Sequence, residues 1–287
     1  MKKTDKLMTT RRNFLKNTSI MAVGSMIIPN LSCIGSTQFP YGLILYTVRD
    51  DMTKDPMMTL ASVAETGYQV LEGASYSNRQ MYGMKPSEFK NAVESFGMKL
   101  LSSHVNVTEQ NVHEVAEDTA EAGHKFVVQP SMIHNKLDDY KRGAERYNTF
   151  GEIFNKLGIR FGYHNHAFEF EMMDGIVPYD LLLQQTEPSL VCMELDLYWI
   201  IKGGADPLEY FEKYPGRFEL WHVKDMSANK EQYETELGNG VIDFKEIFSQ
   251  SEKAGLKNYF VEQDTCRDYP PLESIGISLD YLKEIGQ

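Results

Sequence analysis

The sequence predicts a single-domain α/β fold, a (β/α)8 TIM barrel over residues 41–287, on three observations. A glycine repeatedly closes a helical stretch, and a short apolar run follows within a few residues, at Gly67, Gly97, Gly123, Gly158, Gly216 and Gly255. Glycine just past a helix tolerates the left-handed backbone needed there. The strand candidates start roughly 26 to 40 residues apart, the spacing of strand–helix units in a closed parallel barrel. Ionisable side chains gather at the C-terminal ends of those candidates, where barrels of this kind place their chemistry. A doubly wound open sheet is the alternative, and it lacks support because no GxGxxG follows the first strand.

The elements follow in order. "YGLILYTVRD" supplies the first strand, and Asp55–Pro56 opens the next helix as a cap followed by a pre-set first turn. "TGYQVLE" gives the second strand, with a helix marked by Phe89, Val93 and Phe96 after it. "FGMKLLSSH" is third, and Val112, Val115, Ala116 and Thr119 mark the helix leading to "AGHKFVVQP", the fourth. "LGIRFGYHNH" and "LVCMELDLYW" are fifth and sixth, and Asp206–Pro207 caps another helix. "PGRFELWHVKD" and "AGLKNYFVEQD" complete eight.

Hydrophobic residues make up 42% of the 287, enough for one large core. The N-terminus reads differently. "TTRRNFLKNTSIMAVGSMIIPNLSC" joins Arg11–Arg12 to a modest apolar stretch, the layout of an export signal, and RRNFLK resembles the twin-arginine type. The expectation is an export signal at 1–33, a linker at 34–40 and a periplasmic or cell-envelope location. Cys33 after Leu31–Ser32 weakly resembles a lipid-attachment site, although Asn30 stands where an aliphatic residue is usual. The segment carries Lys2, Lys3, Lys6, Arg11, Arg12 and Lys16 against Asp5, so its removal takes the formal charge from −12 to −17. Such a surface repels phosphate backbones and argues against a nucleic-acid partner. Cys192 and Cys266 have no metal-ligand spacing and read as free thiols.

At the predicted strand ends stand Glu72, His104, Gln129, His164 with His166, Glu194 with Asp196, His222 with Lys224, and Glu262 with Asp264. Each pair is two apart and faces one way on a strand. So many ionisable groups at one rim must be paired or must bind something. Histidine with carboxylates suits Mn, Zn, Co or Fe. The segment "FGYHNHAFEF" leaves open whether its histidines bind metal, move protons or simply hydrogen-bond within the core.

"LDLYW" with Asp196, "HVKD" with His222, "GNGVIDF" and "FVEQD" with Glu262 together resemble the xylose isomerase-like barrel superfamily, in particular bacterial sugar phosphate isomerase/epimerase proteins. The resemblance runs from about residue 41 to the end. It implies one divalent metal held by Asp196, His222 and Glu262. Many relatives add a glutamate on strand 5, where this chain has His164, with Glu169 as a rival further along. The reading taken is His164 as the fourth ligand and His166 as the base, with Glu262 and Lys224 as further catalytic candidates. Glu72, His104 and Gln129, with Tyr198 from the aromatic rim, are candidates for substrate binding.

The implied chemistry is removal of a proton next to a carbonyl, giving an enediolate. Reprotonation makes an isomerase or epimerase; expulsion of a β-substituent makes a lyase or dehydratase, and the YHxH and VEQD segments are also similar to inosose dehydratases and 3-keto-glycoside lyases. Export, and few basic groups beyond Lys224 and Arg49, favour an unphosphorylated keto-sugar. The AP endonucleases of the same fold would need a basic cleft, and a non-catalytic carbohydrate-binding barrel is the remaining alternative.

Overall fold

The computed structural model describes residues 39–131 and 136–287; the expected export signal, Cys33 and most of the 34–40 linker lie outside the described residues. Eight parallel strands form the barrel: β1 (Gly42–Ile44), β2 (Val70–Gly73), β3 (Lys99–Ser103), β4 (Phe126–Gln129), β5 (Arg160–His164), β6 (Val191–Asp196), β7 (Leu220–Val223) and β8 (Asn258–Val261). The hydrogen-bonded order runs β3-β2-β1-β8-β7-β6-β5-β4. A parallel bridge between His104 and Val128, with Val105 N donating to Val128 O at 2.9 Å, joins β3 to β4.

The helix boundaries follow the sequence signals. Asp55 accepts from Met58 N at 3.0 Å and Asp206 from Leu208 N at 2.8 Å, each just before a proline at the first helical turn. Gly67 closes its helix with φ of +115° and Gly255 with +84°. The sequence reading missed two small antiparallel hairpins inserted after β2 and β7, at Tyr76–Ser77 with Gln80–Met81 and at Asp225–Met226 with Glu234–Thr235. Their pairs are two residues long, too short to show a periodicity.

Alternation along the strands positions the site. Ile44, Val70, Phe126, Val128, Cys192, Leu220 and Phe260 pack together as an apolar layer inside the barrel. Leu71, Val127, Tyr163, Leu195, Trp221 and Tyr259 face the helices in the larger core. Two residues beyond the inner layer, toward the C-terminal ends, come Glu72, Glu194, His222 and Glu262. The polar rim is therefore the next inward position on strands whose preceding inward position is apolar. Among the described residues both cysteines are free thiols, Cys192 fully buried, and no helix is long and apolar enough to cross a membrane.

Candidate active site

Three imidazoles meet at the C-terminal mouth of the barrel. The rings of His104 and His222 stack with centroids 5.0 Å apart, and His164 lies 4.9 Å from the first and 4.6 Å from the second. Carboxylates surround them. His222 Nδ1 lies 2.7 Å from Glu262 Oε2, and its Nε2 lies 2.7 Å from Glu72 Oε2. His104 Nε2 is 2.6 Å from Glu194 Oε2. Lys224 Nζ reaches Asp196 Oδ2 at 3.0 Å, Glu262 Oε2 at 2.8 Å and Asp264 Oδ2 at 2.7 Å.

Burial would push the Lys224 ammonium down, but Asp196, Glu262 and Asp264 outweigh it and hold the group well above the usual lysine range. Burial likewise raises Glu262 and Glu194, yet Lys224 and His222 hold the first, and His222 and His104 the second, well below the usual carboxylate range. Asp196 is pushed up to about 6, chiefly by burial, although Lys224 opposes the shift. Burial, then the Lys224 charge, depresses His166 to about 4, so its imidazole is neutral at neutral pH.

The donors fit a divalent cation. His164, Asp196, His222 and Glu262 each offer one ligand atom, and these atoms lie within 4.8 Å of one another. Imidazole nitrogen with carboxylate oxygen is a borderline donor set suited to first-row metals. Asp196 Oδ2 is buried with the Lys224 ammonium at 3.0 Å and accepts no hydrogen bond, and His164 turns its Nε2 toward it at 4.0 Å, an under-satisfied buried oxygen of the kind a bound cation would complete.

The cluster borders a cleft of about 540 Å3 whose lining includes His104, His164, His166 and Glu262 together with Arg79 and Asn106. The model of the xylose isomerase-like TIM barrel family matches residues 60–285.

The chain belongs to the xylose isomerase-like TIM barrel family.

Within this family, the chain resembles a crystal structure described as a sugar phosphate isomerase/epimerase from Parabacteroides distasonis, with 29% identity, a TM-score of 0.77, and coverage of 89% of this chain and 98% of that one. An inosose dehydratase of Lacticaseibacillus casei is 26% identical over 179 residues, which is 53% of this chain and 58% of the relative. The chain thus spans little more than half of that relative's length. An inosose dehydratase of Geobacillus kaustophilus is 22% identical over 77% of this chain and 84% of its own.

This xylose isomerase-like barrel distributes the residues singled out from sequence unevenly. His164 lies in the donor cluster and His166 does not, though their ring centroids are 5.1 Å apart. They share a side without strand alternation, because β5 ends at His164. His166 packs between Phe168 and Trp199, its Nδ1 buried without a partner. Glu169 turns away: it accepts from Tyr163 OH at 2.5 Å and from His166 N at 2.8 Å. It holds the turn and is not part of the cluster.

Of the four substrate-binding candidates, only His104 lines the cleft. Glu72 is fully buried against His222 beneath it. Gln129 spends its side chain on Val107 N, Asn106 Oδ1 and Ser131 O. Tyr198 is buried, donates to Gln232 O and accepts from Lys202 Nζ. Gln129 and Tyr198 depart from the cleft because nearer partners take their polar atoms, and Glu72 because its Oε2 meets His222, with its Oε1 buried and unpartnered. Glu194, which carried no role in the sequence reading, sits at the centre of the imidazoles, and its spacing of two from Asp196 was the available signal. Asn165 was missed altogether; its Oδ1 accepts from Asp196 N at 3.1 Å.

Proposed function

We propose that the protein is a divalent-metal-dependent enzyme that moves a proton next to the carbonyl of an unphosphorylated keto-sugar, as an isomerase or epimerase. The observation that carries this is the division between the strand 5 histidines: one in a buried donor set, its neighbour beside it, neutral, unpartnered and facing the same cleft. His164, Asp196, His222 and Glu262 would hold the metal. A bound divalent cation polarises a carbonyl and makes the adjacent C–H more acidic.

The chain's own groups supply the rest. His166, neutral at neutral pH and walled by Phe168 and Trp199, is placed to take the proton and return it. Lys224 keeps its proton and, with one positive charge set among Asp196, Glu262 and Asp264, offsets part of the repulsion between these carboxylates. Asn165 and the backbone N–H of Trp199, which donates to Asp196 Oδ1 at 2.8 Å, fix the Asp196 side chain and strand end.

Cleft charge supports an unphosphorylated substrate. Among the described residues lining it, Arg79 is the one lysine or arginine, and Asp118 already engages its guanidinium at 2.6 Å. Glu114, Glu262 and Asp264 line the same space and disfavour a phosphate.

A second reading is a lyase or dehydratase, favoured by the inosose dehydratases that the chain resembles. Incubation of metal-loaded protein with ketoses and 3-keto-glycosides in D2O separates the two. Deuterium incorporation without loss of a substituent is expected; release of the aglycone or of water would move the assignment to the lyase. Turnover of none of them would leave a carbohydrate-binding barrel.

The Arg11–Arg12 pair carries the proposal of twin-arginine export to the periplasm or cell envelope. Replacing both with lysine is expected to leave precursor in the cytoplasm; an unchanged periplasmic yield would overturn it.

A further inference from the structure

We propose that the cleft holds a non-reacting subsite for an uncharged sugar unit, formed by Tyr46 and the inserted hairpin at Tyr76–Arg79, so that the substrate is a keto-sugar carrying a further sugar ring. The inference rests on the reading that the histidine–carboxylate cluster acts on an unphosphorylated keto-sugar, and it names what that sugar is attached to.

The lining of the cleft has two origins. His104, His164, His166, Glu262 and Asp264 stand at or just past the ends of barrel strands. Tyr76, Ser77, Asn78 and Arg79 come from the hairpin inserted after β2, and Tyr46 from the loop after β1. The polar partners of Tyr76 and Arg79 lie on the helix Val112–Glu121, not in the cluster. The volume of about 540 Å3 falls within the range of about 300–1,000 Å3 that takes drug-sized ligands, and it exceeds what one sugar ring fills.

The hairpin is held more firmly than a mere cover requires. Its Ser77–Gln80 pair leaves Asn78–Arg79 as a two-residue turn, with φ of +50° and +60°. Left-handed backbone at both positions favours asparagine followed by glycine, and this chain puts arginine in the second place. Asp118 holds it there. Arg79 Nε donates to Asp118 Oδ2 at 3.1 Å and its terminal nitrogen to Oδ1 at 2.6 Å, while Tyr76 OH donates to Oδ2 at 2.7 Å. Asp118 is only 3% exposed, and such a two-pronged pair fixes orientation as well as position. One buried carboxylate thus fastens both the first strand of the hairpin and its turn. Unfavourable backbone that is locked from outside concentrates where ligands bind.

Tyr46 is 39% exposed although it lines the cleft. The Arg49 guanidinium lies 4.3 Å from its ring centroid and donates to Tyr46 O and Asp264 O, each at 2.9 Å, which props the ring in place. A sugar offers C–H groups to the negative face of an aromatic ring, and hydroxyls to side-chain amides and hydroxyls. Tyr46 and Tyr76 supply the first kind of surface, and Ser77, Asn78 and Asn106 the second. Charge selects further. Glu114, Glu262 and Asp264 oppose an anion, whereas Lys224 already faces Glu262 and Asp264 and Asp118 already takes up Arg79. An uncharged, hydroxyl-rich unit matches this lining.

The test compares glucose and galactose with maltose, trehalose, cellobiose and lactose, none of which carries a keto group, for binding to the Mn2+-loaded full chain by calorimetry. At least one disaccharide is expected to bind roughly 10-fold tighter than either monosaccharide. Tyr46→Ala and Arg79→Gly are each expected to abolish most of that preference, and Tyr46→Phe to keep it. Arg79→Gly relieves the left-handed backbone, so the hairpin keeps its turn while losing its tie to Asp118. No tighter binding of any disaccharide, or a preference that both variants leave intact, would overturn the subsite. Deuterium exchange into keto-monosaccharides without a disaccharide preference would strike the subsite and leave the proposed reaction standing. A disaccharide preference without exchange into any keto-sugar would strike the reaction and leave the subsite. The wild-type panel decides the matter even if a variant fails to fold.

Discussion

His164 and His166 are two residues apart and meet different surroundings, which makes them separable by mutation. His164→Ala is expected to lower metal affinity by roughly 10-fold or more, since even groups orienting the ligands are worth that much. His166→Ala is expected to retain metal and to lose proton exchange by about 10²- to 10⁴-fold. Metal titration and deuterium incorporation check the pair. The opposite pattern would exchange their roles, and no effect from either would make both structural. His124 offers a residue-scale test away from the site. Fully enclosed near Ser103 Oγ, at 2.7 Å from its Nε2, it is pushed down to about 4 by burial. Its folded value lies below the ordinary 6.5, so the unfolded chain binds the extra proton first. Stability from this group is present above pH 6.5 and is lost as pH falls toward 4, by about 3 kcal/mol in all. Urea unfolding of His124→Leu is expected to show a flatter pH dependence over that window, whatever its absolute stability.

At the scale of elements, the segment after β7 shows why "HVKD" and "GNGVIDF" occur in one chain. The Asp225 carboxylate accepts backbone N–H groups from Met226 at 2.7 Å, Gly238 at 2.9 Å, Gly240 at 3.1 Å and Ile242 at 3.1 Å. It thereby ties the loop back to the end of the strand that carries His222 and Lys224. A Cβ on Gly240 would stand 2.2 Å from Asp225 Oδ1 and 2.4 Å from Met226 O, so only glycine allows that approach. Asp225→Ala leaves the buried N–H groups of Met226 and Ile242 unpaired and is expected to cost about 3 kcal/mol. Gly240→Ala is expected to destabilise as well, and the double variant to lose less than the two separate losses together, because both break one network. Additive losses in urea unfolding would show that the carboxylate and the glycine act independently.

For the whole molecule, a cation that binds only the folded barrel stabilises it by about 2.7 kcal/mol at 100 times its dissociation constant. For a domain of this size, that corresponds to a Tm rise of roughly 5 to 10 °C. Thermal unfolding with Mn2+ and then with a chelator is the check, and a Tm unmoved by either would argue against a resident metal. The sequence by itself determined the barrel and the identity of its polar rim. Glycine-closed helices and alternate inward positions are local properties, and Glu194 with Asp196 or His222 with Lys224 are two apart wherever the strand lies. Only the tertiary structure decided which partner each rim residue meets. Glu72 reaches His222 across 150 positions of chain, Lys224 is taken up by three carboxylates, and Gln129 and Tyr198 turn to backbone oxygens and amides instead of the cleft. Strand periodicity sets the face on which a side chain stands, whereas ring closure, which places β2 and β6 around the same imidazoles, sets its neighbours.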